Sequence, residues 1–91
     1  MNTPAKPKKT LRLTLSYHWY QMIQSGEKRV EYREITPRWT KLIWDKRDQY
    51  THICFSRGYS KTTMTFEVTA IDVGTCPIPG WDNRYFRIFF Q

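Results

Sequence analysis

The sequence predicts an α+β domain, mainly β, in which a small, strongly curved sheet or barrel carries two short covering helices. Three observations predict it. Apolar and polar residues alternate in four segments, the period of a half-buried strand, whereas only two segments show the i, i+3, i+4 spacing of an amphipathic helix. The strands cluster late, in the order β-α-β-α-β-β-β, which argues against the regular strand–helix alternation of a Rossmann-like sheet. The last strand is apolar on both faces, so it belongs at the centre of a sheet or in a closed barrel. At 91 residues the chain fits one domain. A domain of this size buries only about 60% of its unfolded surface, so its core must be dense. An aromatic content of 16% suits that need.

Residues 1–9 mix Pro4 and Pro7 with Lys6, Lys8 and Lys9 and show no hydrophobic period; they read as a disordered basic arm before a domain at 10–91. Leu11, Leu13 and Leu15 alternate with Arg12, Thr14 and Ser16, which marks the first strand. Ser16 is placed to cap a helix whose Trp19, Met22 and Ile23 share a face, and Ser25-Gly26 ends it in a left-handed turn. The second strand, about 28–33, sets Val30 and Tyr32 on one side and Arg29, Glu31 and Arg33 on the other. Thr36-Pro37 opens the second helix, striped by Trp39, Leu42 and Ile43. A third strand, about 50–56, points Ile53 and Phe55 inward, and Arg57-Gly58-Tyr59-Ser60 forms a turn. In the fourth strand Met64, Phe66, Val68 and Ala70 share the inner face, opposite Thr63, Thr65, Glu67 and Thr69. Gly74, Pro77, Pro79 and Gly80 break regular structure before Trp81, and the last strand runs from about 85 to 90.

Composition narrows the function classes. Two cysteines, Cys54 and Cys76, cannot build a disulfide framework, and no Cys/His spacing suggests zinc; no metal and no cofactor is expected. Cys54, in an apolar run, reads as a small buried hydrophobe. Apolar stretches of a few residues fall far short of the roughly 20 that cross a bilayer, and no secretory segment is visible. A cytosolic monomer without a membrane partner is the expectation. The net charge of +7 is uneven: residues 1–48 hold 11 Lys/Arg against 5 Asp/Glu, and residues 49–91 hold 4 against 3. A concentrated positive field attracts polyanions, nucleic acid among them.

The most informative stretch is Gly26-Glu27-Lys28-Arg29-Val30-Glu31-Tyr32-Arg33, at the junction of a helix end, a glycine turn and a strand. Glu31 and Arg33 share a strand face about 6.6 Å apart, and Lys28 joins them only from the start of the strand. Two cations around one carboxylate can grip phosphate while the carboxylate accepts hydrogen bonds from a base or sugar. Alternatively Lys28, its charged form disfavoured by Arg33, serves as a general base. The same pattern also fits a solvated strand face with an ion pair worth less than about 1 kcal/mol.

The block Gly26, Lys28, Glu31, Arg33 resembles the GxKxxExR signature of the ASCH family, which is related to PUA RNA-binding domains. The resemblance extends to the Leu-x-Leu strand, the helix ending Ile23-x-Ser25-Gly26, Phe55-x-x-Gly58-Tyr59, Met64-x-Phe66-Glu67-Val68-x-x-Ile71 and Tyr85-x-x-Ile88, covering about residues 10–90. It implies a PUA-like β-barrel of five or six strands, a cleft beside the signature, and binding of RNA or a nucleotide. Some members of the wider family are enzymes, including an amidohydrolase acting on N4-acetylcytidine and others that cut RNA. In the amidohydrolase-like members a threonine three residues after the signature lysine is the proposed nucleophile. Glu31 stands there in this chain, and a carboxylate does not replace a hydroxyl nucleophile in that scheme.

Other residues make smaller claims on the cleft. Tyr17 and His18 follow the first strand and could border it, and Trp81 could cap it or pin its own loop. Arg57 and Tyr59 flank Gly58 and pair a phosphate-binding group with a stacking ring. Glu67 is a candidate acceptor for Lys28 or Arg33, whereas Trp19, Trp39 and Trp44 read as helix packing. Three functional classes follow: an RNA- or nucleotide-binding module with Lys28, Glu31, Arg33, Arg57, Tyr59, Tyr17, His18 and Trp81 around a basic cleft; an enzyme on RNA or a modified nucleoside using Lys28 and Glu31; and a protein-interaction module facing an acidic partner.

Overall fold

A computed structural model describes residues 9–91. Its elements are β1 (Thr10–Leu15), α1 (Tyr17–Gln24), β2 (Val30–Glu34), α2 (Pro37–Trp39, continuing as a π-helical segment Thr40–Trp44), β3 (His52–Arg57), β4 (Thr63–Thr75) and β5 (Arg84–Phe90). A single 3₁₀ turn, Arg47–Gln49, leads into β3. Of the arm anticipated at 1–9, residues 1–8 lie outside the described residues. Lys9 is tied to the domain: its carbonyl accepts the Thr51 N–H at 2.9 Å and its Nζ donates to Gln49 Oε1 at 2.9 Å.

The five strands form one sheet in the order β1-β3-β4-β5-β2, curled into a half-barrel with α1 and α2 as its helices. β1 runs parallel to β3, Thr10 opposite His52 through Leu15 opposite Arg57, and every other neighbour is antiparallel. β5 is paired on both sides, with β4 and β2, as its two apolar faces require. Leu11, Leu13, Leu15, Ile53, Phe55, Phe86, Ile88 and Phe90 fill the concave side, joined by Tyr20 and Ile23 of α1 and Ile43 of α2. Phe90 meets Phe55 edge-on at 5.2 Å and Phe66 at 5.0 Å, aromatic pairs that add to area burial. Cys54 is buried in β3, as its apolar run indicates.

Local chemistry sets the ends of the elements. Gly26, at φ 88°, takes the left-handed turn that stops α1, and the Lys28 N–H bonds back to the Met22 carbonyl at 3.0 Å. Thr36 Oγ1 accepts the Trp39 N–H at 3.2 Å with Pro37 at the first helical position. Ser16 stands at the N-cap of α1 without a side-chain capping bond, so its expected hydroxyl cap is absent. One strand face also departs from expectation. A register shift between Val68 and Ala70 turns the inner face of β4 from Met64, Phe66 and Val68 to Ile71 and Val73, which leaves Ala70 exposed. Among the described residues no helix is long and apolar enough to cross a membrane.

Candidate functional site

β1 and β2 end the strand order, so neither is laddered to the other and a seam runs between them. Into that seam β2 turns its charged side. Glu31 and Arg33 face β1, and Glu31 is only 3% exposed. The turn closed by Gly26 delivers Lys28 to the same place, 8% exposed. Lys28 Nζ donates to Glu31 Oε1 at 2.5 Å, while Arg33 Nη2 and Nε donate to Glu31 Oε2 at 2.8 and 3.0 Å. Arg33 Nη2 also donates to the Thr14 carbonyl of β1 at 3.0 Å, bridging the seam. The three head groups thus converge on one hollow rather than forming a solvated strand face.

Above them lies an open cleft of about 680 Å³, lined by Thr14 and Leu15 at the end of β1, by Ser16, by the three charged groups and Glu34, and by the rings of Trp19, Tyr32, Trp39, Trp81 and Tyr85. Its volume falls within the range of small-molecule sites. Lys28 Nζ sits 4.9 Å from the Trp19 ring centre and 6.0 Å from that of Tyr32. Arg33 lies 5.0 Å from the Trp39 ring. These cation–π contacts hold the two cations against apolar walls. Trp81 meets Trp19, Tyr32 and Tyr85 at 5.9, 6.5 and 5.3 Å, so it both pins its loop and closes one end of the cleft. Burial, with the nearby Cys76 adding to it, pushes the Tyr32 phenol above its ordinary pKa.

Two corrections to the expected site concern charge. The charged lining consists of two cations, Lys28 and Arg33, and two carboxylates, Glu31 and Glu34, so the cleft is charge-balanced and not basic. The positive excess sits outside it, on exposed side chains such as Arg38 and Arg57. Glu67 takes no part: it is exposed on β4 opposite His52, and Glu31 is the acceptor for both cations.

Of the residues singled out in the sequence, Lys28, Glu31, Arg33 and Trp81 line the cleft. Tyr17, His18, Arg57 and Tyr59 do not. Tyr17 and His18 are exposed on the first turn of α1, and the Arg57 guanidinium lies 5.3 Å from the Tyr17 ring. Trp19, Trp39 and Trp44 all pack against the core, as their helix positions indicate, Trp44 stacking on Phe86 at 5.8 Å, and Trp19 and Trp39 also form cleft wall. Sequence reasoning also passed over Tyr32 and Tyr85. The signal for Trp39 was its helical position one turn after a strand whose charges face inward, which brings an indole over Arg33. The chain matches no protein-family model, no curated protein and no solved structure.

Proposed function

We propose that the cleft binds the nucleobase end of an RNA or a nucleotide. The observation that carries this reading is a hydrogen-bonding floor of balanced charge beneath aromatic walls. An uncharged heterocycle with carbonyl and ring-nitrogen acceptors suits such a floor better than a bare phosphate does. Lys28 keeps N–H groups beyond the one given to Glu31, and Arg33 keeps its Nη1, so donors remain for those acceptors. The indoles of Trp19, Trp39 and Trp81 offer stacking surface, worth roughly 1–3 kcal/mol per base. On this reading the half-barrel is a PUA-like barrel of the ASCH type with its open seam as the ligand side, acting as a monomer in the cytosol. Titration of short RNAs and mononucleotides at several salt concentrations tests it. Binding at low salt that weakens as salt rises is expected, because the phosphates meet the basic surface outside the cleft. No affinity for any oligonucleotide or nucleotide at low salt overturns it.

A second reading, turnover of RNA or a modified nucleoside, is favoured by one observation: Lys28 Nζ and Glu31 Oε1 are 2.5 Å apart, a proton-transfer distance, at the floor of an open cleft. Incubation with RNA and acylated nucleosides, comparing wild type with Lys28→Ala and Glu31→Gln, decides between binding and catalysis. Equal product in all three removes the catalytic assignment.

A further inference from the structure

Three large apolar side chains are exposed among the described residues, Tyr17, Ile35 and Tyr59, and two of the three stand at one corner beside Arg57. Tyr59 is 102% exposed, so its ring contributes nothing to the core. It is nevertheless carried on a well-bonded turn. Gly58 takes the left-handed conformation at φ 57° and its N–H donates to the Leu15 carbonyl at 2.8 Å; Ser60 Oγ donates to the Arg57 carbonyl at 2.6 Å; and the Arg57 N–H donates to the Thr62 carbonyl at 3.0 Å. The Arg57 guanidinium lies against Tyr17 at 5.3 Å, and among the described residues no carboxylate pairs with it. A guanidinium without a counter-ion, lying against the exposed Tyr17 of α1 and two residues from the exposed Tyr59 of the turn, presents one phosphate donor and two stacking rings.

The corner is continuous with the cleft. Leu15 and Ser16 line the cleft, Tyr17 is the next residue, and Leu15 pairs in register with Arg57 across a strand spacing of about 4.8 Å. The cleft itself lacks net positive charge, so a phosphate leaving the bound base meets uncompensated cations on the rims, Arg38 against Trp39 and Arg57 opposite Leu15, and of these only Arg57 stands beside exposed phenol rings. We infer that Arg57, Tyr17 and Tyr59 form a second nucleotide subsite, for the residue adjoining the one in the cleft. The ligand is then a single-stranded RNA segment of at least two nucleotides and not a free mononucleotide. This rests on the base-binding reading of the cleft and adds to it a direction of travel, past Ser16 and onto the 57–60 turn.

The test compares adenosine and uridine monophosphates with labelled A7 and U7 heptanucleotides, on wild type, Trp19→Ala and the double variant Arg57→Ala/Tyr59→Ala. Circular dichroism checks that each protein is folded. Wild type is expected to bind at least one heptamer more tightly than its mononucleotide. The double variant should lose roughly 5- to 150-fold in heptamer affinity, as removal of a stacking ring predicts. Its salt slope should fall by about 0.7, the loss of one single-strand phosphate contact. Heptamer affinity that is equal in wild type and the double variant overturns the second subsite while the cleft still binds. Loss of mononucleotide and heptamer alike in wild type overturns the cleft reading itself. A poly-glutamate peptide is the remaining arm: if it binds and is lost in the double variant while the heptamers are unaffected, the corner recognises acidic protein and the inference fails.

Discussion

On one side of the half-barrel β4 and β5 are joined by seven register pairs, from Val68–Phe90 to Thr75–Arg84; on the other, the seam between β1 and β2 is spanned by one guanidinium. The laddered side is joined by backbone along its length, with the partly exposed Arg87–Asp72 pair as a supplement, and its inward side chains are Phe86, Ile88 and Phe90. At the seam a backbone bond is replaced by a side chain, and two further charges are taken out of water to hold that side chain in place. Burying a carboxylate and an ammonium costs several kcal/mol each before their attraction is counted. A fold that could close its seam with apolar residues gains little stability from this arrangement. The difference teaches that closure alone does not account for the seam, and on the proposed reading its open side is where a ligand enters.

The largest expected effect comes from removing the shared carboxylate. Glu31→Ala leaves Lys28 buried without its counter-ion and should cost about 3–5 kcal/mol in urea unfolding. A loss under 1 kcal/mol would mean that Lys28 reaches water readily. The sharpest form of the comparison replaces the whole set. Lys28→Met, Glu31→Leu and Arg33→Met together should fold with stability within roughly 2 kcal/mol of wild type, since buried ion pairs are often matched by apolar groups of similar volume. On the proposed reading, nucleotide binding should vanish in the same protein. Collapse of that variant would assign the charges to stability instead.

Arg33→Ala alone keeps the Lys28–Glu31 pair and deletes the bridge to Thr14. A loss of roughly 1–3 kcal/mol is expected. Amide exchange should quicken along β1 and stay slow between β4 and β5; uniform acceleration would contradict a local seam.

Tyr50 offers a smaller test on the laddered side. Its hydroxyl donates to the Leu42 carbonyl at 2.5 Å, and burial pushes its phenol above the ordinary value of 10.0. The neutral phenol is favoured in the folded state, so this contribution is intact below about pH 10 and is lost as pH rises beyond it. Tyr50→Phe should cost about 1 kcal/mol at neutral pH and flatten the alkaline limb of the stability profile.

The smallest effect belongs to Asp72. Its carboxyl is held below the ordinary 3.8 by the hydrogen bond from Arg87, which donates to both carboxylate oxygens at 2.7 Å. The stabilisation is present above about pH 4 and fades as pH falls through the lowered value. The pair is exposed enough for solvent to screen most of it, so Asp72→Asn should leave the urea midpoint nearly unchanged at neutral pH.

Much of this contrast was legible in the sequence, and the remainder was not for identifiable reasons. Strand and helix positions follow from period, and Gly26, Thr36 and Pro37 mark their boundaries by backbone chemistry that acts locally. The convergence of Lys28, Glu31 and Arg33 was anticipated from spacing plus the turn. Three things escaped. The register shift after Val68 depends on pairing with β5, which no local pattern encodes. The parallel pairing of β1 with β3 joins segments some 40 residues apart. Trp19 and Trp39 pack on the core as their helix positions suggest, and only the open seam makes their rings cleft walls as well.

The bridge across the seam ends on a main-chain oxygen, at Thr14. A carbonyl is supplied by whatever amino acid occupies the position, so the fastening constrains the identity of residue 33 and leaves that of residue 14 free. In a saturation library selected for folding, position 14 should accept most strand-compatible replacements and position 33 should tolerate few. Lysine would be a poor substitute there, because a single ammonium cannot hold the carboxylate in a fork while reaching the opposite strand.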